Sequence, residues 1–128
     1  MNLLIDTHTA LWLFNEHENL SYTAKKYLLD ENNKLYISMA SAWEVAIKRS
    51  VGKFIEFSGG VKLFLSAINK NPINIVMILP EHIEIVERLP YIHRDPFDRL
   101  IIATAICENM TIITKDEHIK KYDVSCVW

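Results

Sequence analysis

Leu3-Leu4-Ile5 is apolar without interruption and stops at Asp6, whereas Ser21 to Glu31 places Ala24, Tyr27 and Leu28 at intervals of three and four. The first pattern belongs to a strand covered on both faces, and the second to an amphipathic helix capped by Ser21. The two alternate along the chain. A short helix is predicted around Ala10 to Phe14, and Asn32-Asn33 ends the Ser21 helix. Leu35 to Ser38 reads as a strand, and a helix then runs from Ser41 to a C-cap glycine at Gly52. Val61 to Asn69 is helical and ends at Pro72, and Ile73 to Ile78 is a β-branched strand closed by Pro80. Glu81 to Arg88 is predicted as a helix with Ile83, Val86 and Leu89 as its buried stripe. Asp95-Pro96 opens the most clearly signalled helix, because Asp caps well and Pro is tolerated at the first helical position; Asn109 ends it. Thr111 to Thr114 and Val124 to Trp128 complete the strands, with a short helix or turn between them at Glu117 to Tyr122. Strands alternating with helices imply an α/β fold: a central parallel sheet of about five strands, right-handed crossovers and helices on both faces.

Composition narrows this picture. A chain of 128 residues fits one domain, residues 1–128, and at that size folding removes roughly two thirds of the surface from water. With 50% apolar and 23% charged residues the composition is ordinary for a globular protein, and no repeat or linker-like run is present. The longest apolar run falls short of the roughly 18 residues a membrane span needs. The first residues lack the basic start of a signal peptide, so a cytoplasmic location is expected. Cys107 and Cys126 form no paired motif and are expected as reduced thiols in the core. A net charge of −2 and a pI near 6.2 argue against holding nucleic acid by bulk electrostatics. They leave room for a nuclease whose metal supplies positive charge, helped by local bases among Lys48, Arg49, Lys53, Arg94, Arg99, Lys115, Lys120 and Lys121.

Ligand sites of open parallel sheets lie outside the carboxyl ends of the strands, where strand order reverses. Asp6 directly follows the first strand and Asp116 lies two residues past the Thr111 to Thr114 strand. Glu44 opens the helix after the second strand, and Asp98 opens the helix leading into the fourth. Four ionised carboxylates at one edge repel, and a divalent cation removes that cost. Oxygen ligation suits Mg²⁺ or Mn²⁺, and such a site can activate water for phosphodiester hydrolysis.

Each acid also has a local explanation. Ser41-x-x-Glu44 and Asp95-x-x-Asp98 resemble capping boxes, and Asp116 could cap the turn before Ile119. Asp6 has no adjacent helix or turn that obviously needs it. The histidines His8, His17, His82, His93 and His118 are scattered, without metal-helix spacing, and read as surface or packing residues. Trp12, Phe14 and Trp43 could stack on bases but suit a core equally well. Neither a Gly-rich phosphate loop nor a serine nucleophile elbow occurs.

Four blocks in order, Leu3 to His8, Ser41 to Lys48, His93 to Ala105 and Ile113 to Asp116, resemble PIN-domain proteins of the VapC toxin type. The resemblance spans essentially the whole chain. It implies a Mg²⁺- or Mn²⁺-dependent ribonuclease, the toxin of a type II toxin–antitoxin pair, inhibited by a small antitoxin and commonly dimeric. The family's acidic positions carry to Asp6, Glu44, Asp98 and Asp116 as catalytic and metal-binding residues, with Thr114 as a supporting hydroxyl and Asp95 as the helix cap. The chain departs from the family in lacking a basic surplus. Two rival readings are a receiver-type phospho-acceptor domain and an inactive nucleic-acid or protein-binding module. The receiver would need an acid closing the third strand, where Ile78-Leu79-Pro80 offers none.

Overall fold

A computed structural model describes residues 1–15, 17–53 and 59–128. Five parallel strands form one sheet: β1 Asn2–Ile5, β2 Lys34–Ser38, β3 Ile73–Val76, β4 Thr111–Ile113 and β5 Cys126–Val127, in the order β3-β2-β1-β4-β5. The α-helices among the described residues are α1 Thr7–Asn15, α2 Tyr22–Leu29, α3 Met39–Ser50, α4 Gly60–Asn69, α5 Pro80–Arg88 and α6 Pro96–Glu108, with short 3₁₀ helices at His17–Asn19 and Ile119–Lys121. Strands grow outward from β1 in both directions, so the order reverses between β1 and β4. That places the expected ligand crevice beyond Ile5 and Ile113, which are paired in register.

The unbroken apolar β1 is explained by two cores. Leu3 and Ile5 join Ile37 and Ile113 beneath residues of α1 to α4, including Ala10, Ala24, Val45 and Phe64. Leu4 and Ile112 point the other way, against Ile101, Ile102 and Ala105 of α6 and the buried Ile119 and Tyr122. Burying a side chain of this size contributes about 1.5–3 kcal/mol, so a one-residue slip of β1 would interchange two incompatible faces.

Several element ends differ from the sequence expectation. Helix α1 starts at Thr7, not near Ala10, because Asp6 accepts the Thr9 N–H and caps it. Helix α3 starts at Met39: Ser38 is the cap and accepts the Ala40 N–H, leaving Ser41 inside the helix. Gly52, with φ 82°, takes the left-handed position just past that helix, as expected. Strands β3 and β5 are shorter than the apolar runs that announce them. In α5 the expected stripe is not the buried one, since Ile83 is 52% exposed and His82 is fully buried. Nor is Cys107 in the core; it is exposed on α6, and Cys126 is half-buried.

Candidate metal centre

Asp6 leaves β1 at the switch point and is 5% exposed. One of its oxygens accepts the Thr9 N–H at 2.8 Å and the other accepts a short hydrogen bond from the Thr114 hydroxyl at the end of β4. Burial raises the Asp6 carboxyl above its ordinary value, opposed by the hydrogen bonds from Thr114 and Thr9. Asp6 therefore does cap a helix, contrary to the expectation that nothing nearby needs it. Its second oxygen, turned to Thr114 across the sheet, lies outside what a cap requires.

Glu44 is 1% exposed, in the second turn of α3. That position is too deep for a capping box, so the local explanation fails. Its carboxylate instead accepts from the Thr7 hydroxyl, which lies 2.9 Å from the Ser41 hydroxyl, and from Lys48 one turn on. The Lys48 ammonium also reaches Asp95 at 3.3 Å. Burial would lower the Lys48 pKa, but its bond to Glu44 and the charges of Glu44 and Asp95 outweigh that and raise it.

Asp95 caps α6 as expected, accepting from the Phe97 and Asp98 amides at 2.8 and 3.3 Å. Asp98 occupies the third helical position, but its carboxylate does not fold back to complete a box. It turns to His93, with Nε2 to Oδ2 at 3.0 Å, and the same Nε2 lies 3.2 Å from Asp116 Oδ2. Burial first, then the charges of Glu44, Asp95, Asp6 and Asp116, push the Asp98 carboxyl to about 8. Asp98 thus senses all three other predicted acids, and the fold brings the set together.

Asp116 serves two purposes. Its Oδ1 accepts the His118 and Ile119 amides, the predicted cap, while Oδ2 faces His93. Burial pushes its pKa up, but the hydrogen bonds from His118, His93 and Ile119 together hold it below the usual range. Thr114 supports both neighbours, donating to Asp6 while its oxygen accepts the Asp116 amide at 3.0 Å.

His93 was missed by sequence reasoning. Its Nδ1 faces the Asp95 amide at 3.2 Å, a group that can only donate, so Nδ1 accepts and the ring hydrogen sits on Nε2. That hydrogen is then shared between Asp98 and Asp116. A metal-bound histidine normally donates from its second nitrogen, so this geometry makes His93 a positioning donor and not a ligand. The one sequence signal was His93 placed two and five residues before Asp95 and Asp98.

Arg99 does not belong to the site. Its guanidinium is turned inward to the carbonyls of Val86 and Pro90 and the Tyr122 hydroxyl, closing the end of α5. Asp6 and Asp116 open onto a cleft of about 290 Å³ shared with His8, Trp12 and Lys115. Oxygen donors in excess of local cations, on a preformed scaffold, suit a hard divalent ion.

Solved structures share this architecture. A chain of the VapBC2 complex from Rickettsia felis, bound to promoter DNA, aligns with a TM-score of 0.73 at 20% identity, covering 99% of this chain and 98% of that one. A chain of VapBC-1 from nontypeable Haemophilus influenzae gives 0.64 at 18% identity, covering 99% and 97%. One from a toxin–antitoxin complex of Klebsiella pneumoniae gives 0.63 at 21% identity, covering 98% and 96%. No curated protein matches the sequence significantly. The model of the PIN domain matches residues 3–125, nearly the whole length, and with that match this chain belongs to the PIN domain family.

Proposed function

We propose that this protein is a Mg²⁺- or Mn²⁺-dependent endoribonuclease, the toxin of a type II toxin–antitoxin pair acting in the cytoplasm. The observation that carries the reading is geometric: Asp98 and Asp116 converge on the one N–H of His93, among the buried carboxylates of Asp6 and Glu44, and the rise of the Asp98 carboxyl to about 8 agrees with a pocket short of positive charge. Family membership supports nuclease chemistry. In this reading Asp6, Glu44, Asp98 and Asp116 hold the metal. A divalent ion bound there supplies a water of lowered pKa and stabilises charge on the phosphate oxygens. The chain's own contribution is to fix the carboxylates beforehand. Thr114 and the Thr9 amide orient Asp6, Thr7 and Lys48 hold Glu44, and His93 holds Asp98 beside Asp116.

The similar structures come from complexes named as VapBC or as toxin–antitoxin pairs, which favours a small cognate antitoxin as partner; a homodimer as the working form rests on the family resemblance of the four sequence blocks. A basic antitoxin side chain over the acidic pocket is the simplest inhibitor. The receiver-like alternative loses ground because β3 ends at Val76 and Met77-Ile78-Leu79 brings no acceptor acid.

The test is incubation of antitoxin-free protein with structured RNAs in Mg²⁺ or Mn²⁺, with EDTA, and beside Asp6→Asn and Asp98→Asn. Defined cleavage that needs metal and vanishes in both variants supports the reading. Activity that survives EDTA or both substitutions places the chemistry elsewhere. No cleavage and no metal-linked rise in melting temperature make the protein a binding module.

A further inference from the structure

The pocket that gathers acids poses a problem for its substrate, because RNA approaching four carboxylates on a chain of net charge −2 meets repulsion. Three cations near the site's segments differ in availability. Lys48 is engaged by Glu44 and Asp95, and Arg99 is locked onto carbonyls inside the fold. Lys115 is exposed, immediately precedes Asp116 in the chain, and holds its ammonium 5.9 Å from the Trp12 ring centroid.

Trp12 is set for a second purpose. It is half-buried on α1, with its indole packed at 5.6 Å against Trp128 and at 5.8 Å against the exposed His8 one turn earlier. Those contacts fix the ring, and the ring still lines the cleft. The cleft therefore has two ends. Asp6 and Asp116 form the acidic end, and His8, Trp12 and Lys115 form an aromatic and cationic one. An aromatic ring with an ammonium over it matches one nucleotide: the exposed lysine swings from the ring to the phosphate, and the base stacks on the face it leaves. Stacking of this kind tolerates any base but needs one that is free of its own helix.

We propose, resting on the nuclease reading above, that this aromatic end is the subsite for an unpaired nucleotide adjoining the scissile phosphate, with Trp12 as the stacking platform and Lys115 as the phosphate contact. The subsite thereby selects single-stranded segments of RNA over duplex and offsets the missing basic surface.

The experiment measures binding of a fluorescein-labelled single-stranded RNA octanucleotide and of a blunt RNA duplex by anisotropy in EDTA, across a salt series. Cleavage kinetics in Mn²⁺ run in parallel on wild type, Trp12→Ala, Trp12→Phe and Lys115→Ala. Trp12→Ala is expected to weaken single-strand binding roughly 5- to 150-fold with little change in salt slope, and Trp12→Phe to restore most of it. Lys115→Ala is expected to reduce the slope of log affinity on log salt by about 0.7. Both losses should raise KM more than they lower kcat, and neither should change duplex binding. Because Trp12→Ala also removes packing against Trp128, metal-free melting is recorded, and Trp12→Phe with Lys115→Ala decides the matter if Trp12→Ala does not fold. Wild-type binding or cleavage that both decisive variants retain unchanged, salt slope included, overturns the subsite and leaves the nuclease reading standing, as does equal loss on single strand and duplex. Wild type that neither binds nor cuts RNA overturns both.

Discussion

Two histidine–carboxylate contacts sit at opposite ends of α6, and they look alike. His82 receives the Leu79 amide on Nδ1 at 3.2 Å and turns Nε2 to Glu108 at 2.8 Å. His93 receives the Asp95 amide at the same 3.2 Å and turns Nε2 to Asp98 and Asp116. The rings are used in the same sense, and each group of side chains is compact enough to invite a metal, Cys107 joining His82 and Glu108. The difference lies in the charge around them. At His82 one N–H meets one carboxylate that is a third exposed, the contact is satisfied, and the whole closes the first turn of α5. At His93 one N–H serves two carboxylates that share their surroundings with two more buried acids. A residue list cannot separate a helix cap from a candidate metal site; the surplus of uncompensated charge does.

Substitutions can break this comparison. The largest effect is expected for Asp98→Asn, which should reduce metal-dependent cleavage by more than the 10- to 100-fold typical of losing an outer-sphere partner. The same change should raise the melting temperature of the metal-free protein at neutral pH, because burial and the charges of Glu44, Asp95, Asp6 and Asp116 force Asp98 to take up a proton on folding, and Asn needs none. Next, His93→Ala is expected to weaken Mn²⁺ binding about 10- to 100-fold, measured by the free-ion EPR signal, with His93→Gln restoring an N–H near the Nε2 position. Loss of a nitrogen coupling from the bound-Mn²⁺ spectrum in His93→Ala would show instead that the ring is a ligand. His82→Ala should do the reverse. Leaving the Leu79 amide and Glu108 without their partner costs about 1–3 kcal/mol, read by denaturant unfolding, with Mn²⁺ affinity unchanged.

Dependence on pH sharpens the contrast further. Asp98 moves from 3.8 in the unfolded chain to about 8 in the fold, so the native state holds the extra proton and stability falls as pH rises between those values, levelling above 8. Asp6 is raised in the same sense. Asp116 is lowered, and its contribution is lost only in acid below the unfolded carboxylate range. The metal-free melting temperature should therefore fall from pH 5 to pH 8, and saturating Mn²⁺ should flatten the slope; a rising metal-free profile would contradict the charge accounting. The smallest effect is expected for Cys107→Ser. The thiol is exposed, so unfolding free energy should change by no more than about 0.5 kcal/mol, and Mn²⁺ binding should stay as in wild type.

The alternation of apolar runs and amphipathic stretches determined the order of strands and helices, because it is written in periodicity that each segment carries within itself. It also determined that Asp6 and Asp116 follow strand ends and that Asp95 caps α6, since strand termini and caps are local. Where helices begin was less legible. Ser38 and Ser41 are equally good caps by residue type, and only the geometry at the end of β2 selects Ser38. That choice carries Glu44 from a capping position to a buried one. The exposure of Ile83 and Cys107 and the burial of His82 depended on which helix packs where, which no single helix specifies. The site itself was decided in the tertiary structure: Thr114 reaches Asp6 across 108 residues and His93 reaches Asp116 across 23. Sequence supplied the acids, and the tertiary fold, with β1 paired to β4 beneath Asp6 and Asp116, brought them close enough to raise the cost of ionising Asp98, an energy that falls with distance in space and does not depend on separation along the chain.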